Sequence, residues 1–377
     1  MPSVEGCILT PAGFVRGCLR HGSHVESVEG EPIDEPAARA LAASGVPLVL
    51  PGFVDLHVHG GGGRDTMEGG DAIAAIARLH ASHGTTALAA TTMTAPRAEI
   101  ETALAALAPH VAVRPTGGAR VLGVHLEGPL LSRARLGAQP DFTATATIDD
   151  VLALNAIAPL ALVTIAPELP GHLELIVALR ARGFVVQIGH SDATYEQARA
   201  AFEAGAAGVT HLFNAMSPLH QRAPGLVGAA LAHAGRAEII PDLLHVHAGA
   251  IRAALRAIPG LYCVTDSTAA AGMPDGRYRL GRHEVTKCLG GVRLADGTLA
   301  GSTLTMDQAL RNLVQLGLSL AEASRRTAML AAEHLGLPDR GRLAPGAWAD
   351  FVLLDDALAL RGVRVEGEPV EPSAPGG

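Results

Sequence analysis

From Val46 onward, short β-rich apolar runs alternate with alanine-rich stretches of helical character, and nothing else in the chain restricts its fold so strongly. Eight runs can be read, near Leu48–Leu56, Thr86–Thr91, Val121–Leu126, Ala161–Ile165, Val185–Ile188, Gly208–Leu212, Glu238–Leu243 and Leu261–Thr265. Helical stretches separate or follow them: Asp71–His83, Ala98–Ala108, Tyr195–Ala204, Ala250–Ala257 and Leu304–Leu316. Parallel strands need a crossover and a helix supplies it, so the alternation predicts an α/β fold. Eight such units close a (β/α)₈ TIM barrel without an edge strand. A doubly wound open sheet has the same periodicity and is the competing architecture.

The two ends read differently, with Gly, Pro, charges and short apolar runs of little helical period in residues 1–45 and after Arg340. GRLAPGAWADFVLLD, Gly341–Asp355, is a turn followed by a strand. We expect these ends to pair into a small β-sandwich domain, 1–47 and 340–377, beside a barrel domain over 48–339. The closing EPSAPGG is expected to fray.

Composition excludes several classes. A chain of 377 residues with 48% hydrophobic residues and a mean hydropathy of +0.27 can bury a large core, which rules out wholesale disorder. The net charge of −8 comes with no Lys/Arg run above a solvated face, which argues against a nucleic-acid partner. Val151–Pro167 is the most membrane-like stretch, but Asn155 and Pro159 break it into a helix and a strand, so no membrane span is expected. Cys7, Cys18, Cys263 and Cys288 lack any C-x-x-C pairing, as expected in a reducing compartment. No basic start leads into an apolar block, so a signal peptide is not expected and the cytoplasm is the expected location.

Polar residues with metal and acid/base chemistry close several of the predicted strands. Asp55-Leu56-His57-Val58-His59 ends the first, and strand alternation turns His57 and His59 to one face. Paired imidazoles there suit a divalent ion of Zn²⁺ or Fe²⁺ type, although an isolated H-x-H is more often a hydrogen-bonded pair at a strand end. Strand three ends in His125-Leu126-Glu127, strand five in Gly189-His190-Ser191, strand six in Thr210-His211-Leu212 and strand eight in Val264-Thr265-Asp266. Barrel enzymes keep their sites at that face, and Glu127, His190 and His211 form the His₂-carboxylate set of a catalytic zinc with a position left for water. His125 shares the inward face of Glu127, while His80, His83, His110, His220 and His283 read as ordinary polar residues. Gly60–Gly63 lacks the G-K-[ST] of a phosphate loop and reads as a tight turn.

PGFVDLHVHGGGG, HLEGP, GHSDAT, THLFNAM, RAPG, VTDSTAAAGMPDG and LAGSTLTMDQALRN follow one another as in N-acetylglucosamine-6-phosphate deacetylases of the amidohydrolase superfamily. The resemblance runs from about Pro51 to Asn312, and the Gly341–Asp355 tail is similar to the closing segment of the superfamily's small β-domain. It implies hydrolysis of the acetamide of an N-acetylated hexosamine phosphate. Glu127, His190 and His211 match the main metal ligands, with His57 and His59 open to a second ion, so one or two divalent metals per chain are expected, zinc first. Asp266 matches the catalytic acid/base and His245 a histidine beside the acetamide. Asn214 and Ala215 match the substrate-binding pair, and Arg222 the arginine that meets the phosphate. Ala138, Asp242, Leu243, Leu244, Leu299, Ala300 and Gly301 fall where the family contacts substrate, partly through backbone.

The resemblance also implies a homodimer, with a neighbouring chain completing the phosphate site. An aromatic content of 3% leaves few platforms for a polysaccharide, in keeping with a small substrate. Three positions depart from the pattern. Ala223 replaces the usual acidic residue after the arginine, Leu243 replaces a common glycine, and Gln139 stands where some members have histidine. Two other readings compete. A relative with two lysine-bridged metals is opposed by Lys287, the one lysine in the chain, which follows strand eight. A non-catalytic sugar-phosphate binder would be expected to lack Asp266 or a core ligand.

Overall fold

The computed structural model describes residues 2–371, so the end expected to fray lies, apart from Glu371, outside the described residues. It is an α/β fold. Six strands, Phe53–Val58, Thr85–Thr91, Arg120–Glu127, Leu160–Ile165, Val186–Ile188 and Gly208–Val209, pair in chain order and all in parallel. Arg236–Ile239 and Gly260–Cys263 form a second parallel pair. Main-chain bonds bridge the two sheets at both margins: Leu212 N donates to Glu238 O at 2.9 Å, and Asp266 N to His57 O at 2.9 Å. A helix follows each strand, and Ala72–Ser82, Arg97–Ala112, Tyr195–Glu203, Ala248–Ala257 and Met306–Gln315 fall where the alanine-rich stretches predict them. Local chemistry sets one of these starts closely. Thr194, at the end of GHSDAT, accepts from Gln197 N while the Gln197 side chain accepts from Thr194 N, a capping box that begins the helix four residues after His190.

The run expected as one strand, Leu48–Leu56, is two. Leu48–Pro51 belongs to a seven-stranded sheet, parallel to Ser3–Thr10 and antiparallel to Phe351–Leu354, and only Phe53–Val58 joins the parallel set. Gly52 permits the change of sheet, since a Cβ there would lie 2.2 Å from Thr86 Cγ2. Strands six and seven stop earlier than expected. His211 turns away with φ 28°, and Pro241, which has no N–H to donate, follows Ile240. A helix at Glu35–Ala43 was not expected in the N-terminal segment; Asp34 caps it by accepting from Ala37 N at 2.8 Å. A three-stranded antiparallel sheet, Gly276–Leu280, His283–Cys288 and Gly291–Arg293, follows the eighth strand and was also not foreseen.

The seven-stranded sheet unites strands from both ends of the chain, in the order Glu368–Pro369, Leu360–Val365, Phe351–Leu354, Leu48–Pro51, Ser3–Thr10, Gly13–His21, Val25–Ile33. Strand alternation divides its side chains. Leu48 and Leu50 enter the main core with Val352 and Leu354, while Val49 packs with Ile8, Leu19 and Phe351 on the other face.

Charge locks this sheet to the parallel strands. Buried Arg340 stacks on Trp348 at 4.7 Å and donates to Asp350 and Glu366, whose two oxygens also take Arg120 at 2.8 and 2.9 Å. Burial pushes the Asp350 carboxyl up to about 6, with Arg340 pulling it back down. A folded-state value above the unfolded one means that Asp350 ionisation weakens folding as pH rises through about 6. Arg340→Ala is therefore expected to cost ~3–5 kcal/mol at pH ~8, where the buried carboxylate is left unpaired. At pH ~5 the loss should be clearly smaller, because the unpaired carboxyl is then protonated. Urea denaturation at the two pH values checks this, and equal losses would show that packing rather than charge is what Arg340 contributes.

Candidate active site

Parallel strands deliver their C-terminal residues to one end, and the polar groups that close these strands meet there. Glu127 Oε1 lies 3.2 Å from His190 Nε2 and 3.0 Å from His211 Nε2, and these two nitrogens are 3.0 Å apart. Glu127 Oε2 lies 3.5 Å from His57 Nε2 and 3.1 Å from His59 Nε2, themselves separated by 3.2 Å. Asp266 Oδ1 faces the same pair at 3.5 and 3.3 Å. Gln139 Nε2 donates to Glu127 Oε2 at 2.7 Å while its oxygen accepts from Thr94 N, so the carboxylate is held from behind.

The donor set fits a cation. The Nδ1 of His190 donates to the Arg135 carbonyl at 2.9 Å, and that of His57 to the Glu238 carboxylate at 3.0 Å. An acceptor that only accepts fixes the proton on Nδ1 and leaves the Nε2 lone pair free for a metal. Glu127, His190 and His211 form one candidate group of ligands and His57, His59 and Glu127 another, all buried. The electrostatics agree. Burial opposes charge at His57, His190 and Glu127, yet Glu127 and Asp266 hold His57 well above its ordinary value, and the imidazoles hold Glu127 well below its own.

Backbone strain gathers here. Among the described residues nine non-glycine residues have positive φ, and six belong to these strand ends and loops: His190 at 46°, His211 at 28°, Phe213 at 82°, Ala215 at 49°, Leu243 at 66° and Asp266 at 50°. Each such residue costs about 1–3 kcal/mol, and such outliers concentrate where side-chain placement serves function.

The remaining expected residues separate into cavity wall and surroundings. A cavity of about 180 Å³ is lined by His59, Glu127, His190, His211 and Asp266, and by Ala138, Asn214, Ala215, His245, Leu299 and Gly301. His57 and Ala300 lie fully buried rather than on its wall. Asp242 does not line it either; its carboxylate accepts from His245 Nδ1 at 2.6 Å and from the main-chain N–H groups of Leu244 and His245. Burial opposes the effect, but Asp242 raises the basicity of His245, whose ring is thereby fixed toward the cavity. Leu243 and Leu244 are 40% and 50% exposed at the margin. Arg222 is exposed on the loop after the sixth strand and makes no ion pair among the described residues.

Several contributors escape sequence reasoning. Gly137 and Gln139 also line the cavity, and Met93, Leu280 and Thr298 complete the wall, the last two brought by the unforeseen three-stranded sheet and the segment after it. Glu238, Gln187 and Tyr262 form a buried layer beneath His57, and a carboxylate inside the apolar strand Arg236–Ile239 was the one available signal. His125 sits in the same layer, bonded to Leu56 O at 3.2 Å and Thr164 Oγ1 at 2.7 Å.

Residues 48–371 match the model of the amidohydrolase family. An N-acetylglucosamine-6-phosphate deacetylase of Lysinibacillus sphaericus is 39% identical over 321 residues, covering 83% of each chain. An N-acetylgalactosamine-6-phosphate deacetylase of Escherichia coli O157:H7 is 40% identical over 344 residues, 89% of this chain and 90% of that one. Among solved structures, a mutant N-acetyl-D-glucosamine-6-phosphate deacetylase of Mycobacterium smegmatis in complex with N-acetyl-D-glucosamine-6-phosphate superposes with a TM-score of 0.89, at 35% identity and 98% coverage of both chains.

The two groups of ligands share only Glu127, which makes their occupancy separable. Replacing both His57 and His59 by Ala is expected to remove one metal equivalent per chain and to leave the ion at His190 and His211. Elemental analysis after reloading with excess zinc decides the matter; unchanged stoichiometry would show that the H-x-H pair holds no ion.

Proposed function

This chain belongs to the amidohydrolase family, and we propose that it hydrolyses the acetamide of N-acetylglucosamine 6-phosphate to glucosamine 6-phosphate and acetate. The observation that carries this reading is the convergence of Glu127, His190 and His211 within 3.2 Å of one another, beside Asp266 and at the floor of a small cavity. We read the two parallel sheets, bridged at both margins, as one (β/α)₈ barrel, and the seven-stranded sheet as the small β domain built by the chain ends. The proposed division places 1–47 and 340–377 in the small domain and 48–339 in the barrel, with Leu48–Pro51 contributing its strand to the former. A cytoplasmic homodimer using one or two zinc ions is the proposed working form.

Amide hydrolysis needs a nucleophile at neutral pH, a polarised carbonyl and a proton for the departing amine. When bound, the metal supplies Lewis acidity, lowering the pKa of water to about 7 and polarising the carbonyl. Asp266 accepts a proton from the attacking water as its oxygen bonds to the carbonyl carbon. It returns that proton to the sugar nitrogen as the C–N bond breaks. His245, held by Asp242, presents its Nε2 to the developing oxyanion. Asn214 and Ala215 border the sugar, and Arg222 offers paired donors to the phosphate from the loop outside the cavity.

A second substrate reading, N-acetylgalactosamine 6-phosphate, is supported by the similarity to the Escherichia coli enzyme. Assaying acetate release on both epimers separates the two. The lysine-bridged alternative finds no support, since Lys287 lies in the His283–Cys288 strand and donates to the carbonyls of Ala270 and Met273.

Asp266→Asn keeps size but cannot accept the proton, so kcat should fall by ~10²–10⁴ with the ion at His190 and His211 retained. Near-full turnover would remove Asp266 from the mechanism. Arg222→Ala should depress kcat/KM on the 6-phosphate by ~2–5 kcal/mol, the usual worth of a desolvated charged contact. Unphosphorylated N-acetylglucosamine, which never makes that contact, should be hydrolysed at an unaltered slow rate. Equal losses on both sugars, or none on either, would exclude Arg222 as the phosphate reader.

A further inference from the structure

Glu238 has no part in the chemistry above, yet it is bonded directly to residues of both His/Glu clusters of the centre. It is fully buried in the strand Arg236–Ile239, and every acceptor site it offers is used. Oε2 accepts from His57 Nδ1 at 3.0 Å and from the His211 main-chain N–H at 3.1 Å. Oε1 accepts from Gln187 Nε2 at 3.0 Å and from the Tyr262 hydroxyl at 3.3 Å. Gln187 also donates to the Tyr262 oxygen at 3.0 Å, so the two donors to Oε1 are fixed to one another. His57 belongs to the candidate ligand groups His57/His59/Glu127 and His57/His125/Glu238, and His211 to the group Glu127/His190/His211.

We propose that Glu238 is a positioning residue that fixes one imidazole of each metal subsite through a single carboxylate oxygen. The two bonds act differently. The bond to His57 is to the ring: it keeps the proton on Nδ1 and directs the Nε2 lone pair at Glu127 and His59. The bond to His211 is to the backbone: it holds the peptide in the conformation with φ 28° from which Nε2 reaches His190 and Glu127. A buried carboxylate without donors is costly, so the four donors also prevent Glu238 from turning elsewhere. A mechanical consequence follows. Displacing one oxygen disturbs both subsites, although His57 and His211 lie on different strands.

The inference rests on the metal-centre reading of the proposed function, and its test separates the two. Zinc affinities of the full-length chain are measured by competition with a chromophoric chelator, after stripping and reloading, for wild type, Glu238→Gln, Glu238→Met and His57→Ala. Glu238→Gln keeps an oxygen for both donors but loses the charge, so each affinity should fall by ~10-fold. Glu238→Met removes the oxygen and should lower both by ~100-fold, whereas His57→Ala should lower only one. The Met variant leaves buried donors unpaired and can fail to fold. The near-isosteric Gln variant and ¹⁵N-histidine spectra of the zinc-loaded wild type then carry the test. Those spectra should show a slowly exchanging proton on Nδ1 of His57 that is lost or shifted upfield in Glu238→Gln. A wild-type chain that takes up no zinc overturns the metal-centre reading itself. Wild-type uptake with unaltered affinities in folded Glu238 variants, weakening of one subsite alone, or a His57 that carries its proton on Nε2 overturns the role of Glu238.

Discussion

Glu127 turns one oxygen toward each of two imidazole pairs, and each pair brings its nitrogens within 3.0 or 3.2 Å. Facing imidazole nitrogens at such a distance in a dry interior need a proton or a cation between their lone pairs, because burial removes the water that would otherwise screen them. That electrostatic requirement organises much of the molecule. Four imidazoles and two carboxylates must be delivered to one point from five different strands. Their rings must be aimed, and the cavity above them must stay small. Parallel strands meet the first demand, since every C-terminus arrives at the same end.

Aiming the rings is less easily met, and the fold does it by two means. Some rings are fixed by an acceptor behind them, as Arg135 O fixes His190 and Glu238 fixes His57. Others are set by unfavourable backbone, as at His211 and Asp266. Such strain persists only where its surroundings over-determine it. Asp266 shows how: its N–H donates to His57 O, and its carbonyl accepts from Ser302 N at 2.7 Å. Gly301 then packs so close that a Cβ would lie 2.8 Å from Asp266 O and 3.6 Å from its Oδ1, so the glycine of the motif LAGSTLT leaves room beside the acid.

The candidate ligands were legible in the sequence because each is a polar residue that closes an apolar run. Strand parity accounts for the shared face of His57 and His59, whereas His190 and His211 lie past the ends of their strands at positive φ. The layer beneath the ligands closes no such run. Glu238, Gln187 and Tyr262 lie inside strands, where a lone polar residue has no visible partner until the strands are brought together. The change of sheet at Gly52 was hidden for a related reason. Leu48–Pro51 and Phe53–Val58 form one apolar run with one period, and only the close approach of Thr86 reveals that the chain leaves one sheet for another. The three-stranded sheet after Cys263 was missed because a third of Gly276–Arg293 is charged and the segment alternates in exposure, without a continuous apolar run to mark it.

The anchoring is unequal within each subsite, and the inequality has a physical sense. His190 and His57 have their Nδ1 atoms bonded, whereas the Nδ1 atoms of His211 and His59 are buried and meet no acceptor among the described residues. Each group of ligands therefore combines a ring locked by hydrogen bonding with one held through its backbone alone. A locked ring supplies a fixed direction for one ligand bond. A ring without such a bond can rotate about its side-chain torsions by small amounts at little cost. Amide hydrolysis changes the carbonyl carbon from trigonal to tetrahedral, and a divalent ion held by these residues would have to accommodate that change. One rigid and one compliant imidazole per subsite suit that change better than two rigid ones would. They keep the reacting atoms in register through the locked ring and take up the altered geometry through the other.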